Sequence, residues 1–271
     1  MSKVSVIIPT YNRADKITAS IQSVLDQTYE DFELIVIDDA SSDDTESVVN
    51  GIGDDRIRYH RMSENGGAAR ARNAGAELSG CEYIAFHDSD DKWLPDKLKC
   101  QMEYMEHHPD AGLVYGKIRF IAGEEVFVLP DEETKGDLEG YIYPWLLARN
   151  TIGTPAMLMK KKCFEEAGRF DAGLRCLEDW EFILRFAKLY KIGYIDEVLV
   201  DSYDSAGSVS WNMGAAFYEA RCKMIAMHKA DMMKYGIFDR MVMDIFEKAG
   251  KAGLLPQVQQ MLMKLLQYYG S

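Results

Sequence analysis

Over its first 107 residues the chain alternates short apolar runs with stretches whose apolar residues recur at helical spacing. Val4 to Ile8, Glu33 to Ile37, Arg56 to Tyr59 and Glu82 to Phe86 read as strands, the first closed by Pro9. Ala14 to Gln27 carries Ile17, Ile21, Val24 and Leu25 on one helical face. Ser42 is the expected cap of a helix from Asp43, with Glu46 near its start. Gly67 to Leu78 is an alanine-rich helix, and Pro95 to His107 is the next. This alternation predicts an α/β fold with a mostly parallel sheet, flanking helices and right-handed crossovers.

The pattern changes after Pro109. Gly112 to Ile121 and Glu125 to Leu129 flank Ala122-Gly123-Glu124 as a hairpin. Ala156 to Lys160, Gly193 to Ile195 and Val198 to Ser202 are further strands. Glu178 to Tyr190 is a helix with Phe182, Ile183, Phe186 and Leu189 facing inward. From Met213 the sequence reads as helices broken at Gly236 and near 250–256.

Charge marks a boundary. The net charge is −13, which disfavours nucleic acid as a partner. From Met213 onward, however, eight Lys and Arg face five Asp and Glu, and nine of the fifteen methionines lie there. The division is therefore placed near Trp211: residues 1–211 as the catalytic domain and 212–271 as a helical extension. Its methionines, Met224 to Met263, suit packing on the domain, or else a peripheral membrane contact or a homodimer. No run approaches the ~18 apolar residues of a membrane span, and the N-terminus lacks a signal-peptide pattern. The five cysteines are scattered and form no CxxC, as expected for reduced thiols in a cytoplasmic protein.

The chemistry concentrates in His87-Asp88-Ser89-Asp90-Asp91, directly after the apolar run Tyr83 to Phe86. In an open α/β sheet the end of a strand is where ligands bind. Carboxylates this close repel unless a cation joins them. Mg²⁺ typically binds through one or two carboxylates plus substrate phosphates. The alternative is a polar turn before the helix at Pro95. An EF-hand is disfavoured, since the glycine of its sharp turn is missing. Asn65-Gly66-Gly67 precedes a helix whose first N–H groups could meet an anion. It is not G-x-G-x-x-G, which leaves a dinucleotide site poorly supported. Arg13, Arg70 and Arg72 are candidates to reach a phosphate. Glu178-Asp179-Trp180 opens a helix, where acids favour the dipole by ~0.3–1 kcal/mol without any other role.

Taken in order, Val4-Ser5-Val6-Ile7-Ile8-Pro9-Thr10-Tyr11-Asn12-Arg13, Leu34 to Asp43, Asn65-Gly66-Gly67 with Ala71-Arg72-Asn73-Ala74-Gly75, the aspartate stretch and Glu178-Asp179 resemble the inverting family 2 glycosyltransferases of the GT-A fold. The resemblance runs from about Val4 to about Asp204. It implies that Pro9, Thr10, Tyr11 and Asp39 hold the base and ribose of a nucleoside-diphosphate sugar, with a UDP-sugar first in line. Arg13, Gly67, Arg72, Asp88 and Ser89 would complete that half. Asp90, the last residue of D-x-D, would bind Mn²⁺ or Mg²⁺. Asp179 would be the general base, with Glu178 and Trp180 near a glycan or lipid-linked acceptor at the inner face of a membrane; Trp180 is equally compatible with a place in the core.

The chain departs from the family in places. Gly168-Arg169-Phe170-Asp171 has arginine where the family has a second glycine. The histidine of H-x-x-S-x-S is replaced in Ser205 to Ser210, at Ser205 by position. This leaves open a weakly catalytic nucleotide-sugar-binding module. The pattern of processive polymer synthases is absent, so transfer of a single sugar in surface polysaccharide synthesis is expected. A nucleotidyltransferase would want a basic glycine-rich loop after the first strand, unlike Pro9-Thr10-Tyr11-Asn12. His87 is expected to be a packing residue and Asp91 a cap of the following helix.

The acidity also sets a requirement. At ~4 Å and an effective dielectric of ~20, a carboxylate beside a phosphate is unfavourable by ~4 kcal/mol. A divalent ion between them reverses the sign locally.

Overall fold

The computed structural model describes residues 2–131, 134, 136–203 and 214–269. Its strands are β1 (Val4–Thr10), β2 (Phe32–Asp38), β3 (Ile57–Arg61), β4 (Tyr83–Phe86), β5 (Lys92–Trp93), β6 (Ala111–Ala122), β7 (Glu125–Leu129), β8 (Leu158–Lys160) and β9 (Lys191–Tyr203). The helices are α1 (Ile17–Leu25), α2 (Thr45–Asn50), α3 (Ala68–Leu78), α4 (Lys97–His107), α5 (Tyr143–Leu146), α6 (Lys161–Glu166) and α7 (Glu178–Leu189). Four more follow: α8 (Ala215–Met227), α9 (Lys229–Lys234), α10 (Phe238–Lys251) and α11 (Leu255–Tyr268). One sheet holds the strands in the order β3-β2-β1-β4-β8-β6-β9-β5, with β7 hairpinned onto β6. β1 to β4 are mutually parallel, and β8 enters antiparallel between β4 and β6.

Both faces of the sheet are covered, which is why its central strands are mainly apolar. Val4, Val6 and Ile8 face Ile17, Ile21 and Val24 of α1 and Leu98, Met102 and Met105 of α4. Ile7, one residue out of phase, joins Ala69, Ala71 and Ala76 of α3 and Phe182 and Phe186 of α7 on the other face. The small residues of α3 let it lie close to the sheet. A Cβ at Gly75 would stand 2.4 Å from Cγ2 of Ile7. The α3 side of the core continues through Tyr218, Cys222, Ile225, Met241, Ile245, Val258 and Leu262. The methionine-rich helices thus pack on the sheet domain, while Met243 and Met263 stay exposed on α10 and α11. Among the described residues no helix is long and apolar enough to cross a membrane.

The structure corrects several sequence expectations. β1 continues through Pro9. The Thr10 carbonyl accepts from the Asp39 N–H and the Ile7 carbonyl from that of His87. Pro9 therefore turns its missing N–H toward β4, beyond the end of that strand, where a ladder donor is not needed. Ser42 does not cap α2; its N–H donates to Oδ1 of Asn12, and α2 starts at Thr45. The two late strands are one, β9, whose register against β6 slips between Ile195 and Val198. The bulge absorbs Asp196 and Glu197, the residues that looked like a break. Leu189 is exposed, because α7 ends there. β5 is too short to carry a pattern and was not expected.

Candidate active site

β1, β2 and β4 are parallel neighbours, so the loops after Thr10, Asp38 and Phe86 leave from one edge. Asn12 joins the first two. In a left-handed conformation (φ 50°), it receives the Ser42 N–H on its side chain and donates its own N–H to Oγ of Ser41, each at 2.8 Å. Such a conformation is tolerated by Asn better than by most residues.

The two aspartates ending β2 divide their work. Asp38 is buried, accepting from the Tyr59 hydroxyl at 2.5 Å and from the Ser41 N–H at 2.8 Å. Asp39 accepts from the N–H groups of Gly66 and Gly67, both at 2.7 Å. The two amides that the sequence offers to an external anion are held by this internal carboxylate at the N-terminus of α3. Thr10 is buried, and its hydroxyl has no partner among the described residues. Tyr11 is exposed beside it.

Arg72 is not a solvent-facing phosphate ligand. It is buried, donating to Oδ1 of Asp88 and to Oε1 of Glu178, each at 2.7 Å. Its guanidinium also stands 5.7 Å from the Phe170 ring. Two carboxylates hold it firmly in the charged form against desolvation. Burial raises the pKa of Asp88, with Arg72 opposing it. The side chain of Arg70 is turned instead to Glu64 at 2.9 Å.

The rest of the acidic turn splits in two directions. Asp90 stays partly exposed, with Arg13 3.6 Å from its Oδ2. Ser89 is buried. Asp91 is buried too, and does not cap the next helix; it accepts from the Tyr203 N–H at 3.3 Å. Burial, then Asp88, pushes it up to about 8. His87 is a packing residue, 4.8 Å from the Trp93 ring and held neutral by desolvation. The donor set fits one divalent ion bound through Asp90 with the remaining ligands from phosphate and water, as Mg²⁺ and Mn²⁺ accept. Asp88 has one oxygen committed to Arg72 and Asp91 points inward.

Leu177 turns into α7 in a left-handed conformation (φ 58°), which places Glu178 and Asp179 in the first turn. Oδ1 of Asp179 accepts from the Trp180 N–H at 2.7 Å and Oδ2 from Nδ2 of Asn150 at 3.3 Å. Burial, followed by the Glu178 charge, pushes Asp179 up to about 7, although part of its surface remains accessible. Trp180 is core rather than an acceptor platform: it is 7% exposed, its indole N–H bonds the Leu146 carbonyl, and Arg221 covers its ring at 4.3 Å. Behind it, Arg185 grips Glu181 and the carbonyls of Ala167 and Arg169. Arg169 itself sits at φ 60°, where glycine would be unstrained.

Sequence reasoning missed Asn150, which lies in no motif, and Asn12 as a loop clamp. Ser205 and Trp211 fall outside the described residues. Two cavities, of about 540 and 420 Å³, are lined by α10 and α11 and by none of these side chains.

Comparison with known proteins gives a consistent picture. Residues 5–166 match the family model described as glycosyl transferase family 2. An uncharacterized glycosyltransferase of Rickettsia bellii is 37% identical over 185 residues, 66% of this chain and 25% of its own length. An Escherichia coli UDP-Glc:alpha-D-GlcNAc-diphosphoundecaprenol beta-1,3-glucosyltransferase is 44% identical over 106 residues, 39% of this chain and 42% of that protein. The chain thus spans less than half the length of either relative. Among solved structures, S. aureus TarS 1-349 in complex with UDP-GlcNAc aligns with a TM-score of 0.77 at 21% identity, covering 98% of this chain and 80% of that one. That likeness concerns the fold.

Proposed function

The chain belongs to glycosyl transferase family 2, and from that premise we propose that it transfers one sugar, with inversion, from a nucleoside-diphosphate sugar to a hydroxyl of a glycan or lipid-linked acceptor. One observation carries the reading. Arg72 ties the acidic turn after β4 to the acidic start of α7 through two 2.7 Å contacts. The donor-side and acceptor-side carboxylates therefore share one edge of the sheet.

In this reading Thr10, Tyr11 and Asp39 border the base and ribose. Asp90 would hold a divalent ion, which neutralises charge growing on the departing diphosphate. Arg13, 3.6 Å from Asp90, would turn to the phosphate oxygens. Asp179 takes the proton of the attacking hydroxyl. General-base help of this kind is worth ~10²–10⁴ in rate. The reaction is a single in-line displacement: the acceptor oxygen bonds the anomeric carbon as the bond to the diphosphate breaks. The lipid-linked substrate of the E. coli relative and the UDP-GlcNAc bound to TarS support a UDP-sugar donor and a role in surface polysaccharide synthesis.

Calorimetry of UDP, GDP, CDP and dTDP, each with and without Mn²⁺, tests the proposal. Binding of one diphosphate, strengthened by the metal, is expected. If all four fail to bind under both conditions, the proposal is wrong.

A further inference from the structure

Asn150 belongs to no motif and lies in the stretch before β8 for which the sequence offers no guide. Its amide orientation is nevertheless fixed by chemistry. Oδ1 accepts the Ile152 N–H at 3.1 Å, which only the carbonyl end can do. Nδ2 must then be the end that faces Oδ2 of Asp179 at 3.3 Å. The other carboxylate oxygen is held by the backbone N–H of Trp180 at 2.7 Å. One donor is local to the helix and is present in any sequence. The other reaches across from residue 150 and depends on a side chain.

From this geometry we infer that Asn150 is a positioning residue, orienting the Asp179 carboxylate and holding it ready to accept a proton. The inference rests on the reading of Asp179 as base. A carboxylate held at only one oxygen can rotate about its Cβ–Cγ bond; a second donor fixes its plane. The same donor favours the charged form. It works against the groups that disfavour it: Glu178 on the same helix turn and Asp88 from the acidic turn, with Arg72 of α3 offsetting both. Cys176 lies just before the helix; its thiol is pushed up to about 11 by burial and then by Glu178, Asp179 and Glu219.

The test uses the full chain labelled with ¹³C at aspartate carboxyls. The Asp179 resonance is identified as the one lost in Asp179→Asn. Its titration is then followed in the wild type, in Asn150→Ala and in Asn150→Asp. The aspartate keeps an acceptor for the Ile152 N–H while replacing the donor by a like charge, so the loop is preserved if the alanine variant fails to fold. Loss of the donor raises the Asp179 titration midpoint by about half a pH unit or more, and more in Asn150→Asp. In a transfer assay both variants lower kcat about tenfold, with the donor KM unchanged. An Asp179 midpoint equal to the wild type in both variants overturns the inference. Undiminished transfer by Asp179→Asn would instead overturn the base assignment, and leaves the carboxyl titration to be judged by itself.

Discussion

Arg72 and Asp88 meet at 2.7 Å in a setting that buries the guanidinium, and the same guanidinium reaches Glu178. Removing the cation would strand two carboxylates that already crowd Asp90 and Asp179. Breaking a buried pair on one side is strongly destabilising, by about 3–5 kcal/mol; Asp88 is partly exposed, so about 3 kcal/mol is expected. Arg72→Met should therefore lower the Tm by about 6–12 °C in thermal unfolding, at about 2–4 °C per kcal/mol for a chain of this size. A drop of less than 2 °C would show that the bridge contributes little.

Much of this was legible in the sequence, for identifiable reasons. Val4 to Ile8 and Leu34 to Ile37 are buried on both faces, and such strands announce themselves as predominantly apolar runs, broken here only by Ser5. The carboxylates after β4 and at the start of α7 were recognisable because their residue types and order carry the signal. What the sequence did not reveal are relationships between distant residues. Arg72 reads as a phosphate ligand because nothing local shows that residues 88 and 178 converge on it. Trp180 could stack on an acceptor or belong to the core, and the choice is decided by Leu146 and Arg221, 34 and 41 positions away. Asn150 has no local pattern at all; its contact with Asp179 joins residues 29 positions apart.

Asp39 gives a second prediction. Its carboxylate spans two N–H groups at the start of α3, which is the task of a helix cap performed from another strand. An amide has only one acceptor oxygen, so Asp39→Asn loses one of the two bonds. Loss of a cap is unfavourable by about 0.5–2 kcal/mol. The variant should melt about 1–8 °C lower, and calorimetry should show weaker UDP binding, because the loop at Gly66 and Gly67 is held less firmly. Weaker binding with an unchanged Tm would mean that Asp39 acts on the nucleotide alone.

Lys97 predicts a dependence of stability on pH. It is fully buried, with Nζ 3.7 Å from the Trp93 ring centre and 2.7 Å from Oε1 of Gln101, and desolvation lowers its pKa well below the usual lysine value. The folded form then binds fewer protons than the unfolded form until the pH reaches the unfolded lysine value of about 10.4. Stability rises with pH wherever the unfolded state binds more protons, by about 1.4 kcal/mol per pH unit for one group. Between pH 8.5 and 10 the wild type should gain stability relative to Lys97→Met, measured by urea unfolding at each pH. A gap that stays constant or narrows as pH rises would show that Lys97 keeps its proton when folded.

With Asp179 as the proposed base, turnover should depend on pH. A base must be ionised to accept a proton, and burial with the Glu178 charge holds this carboxylate up to about 7. Below that pH the ionised fraction falls tenfold per unit, and kcat should fall with it; above it kcat should level off. Glu178→Gln removes the adjacent negative charge and should move the acid limb to lower pH, provided the Arg72 contact is kept through the amide oxygen. Asp179→Asn should lose about 10²–10⁴ of the rate at every pH, since an amide cannot take the proton. Initial rates of sugar transfer between pH 5.5 and 8.5, measured in all three proteins, decide the matter. A wild-type profile flat across that range, or an acid limb in Asp179→Asn at the wild-type position, would assign the proton to another group.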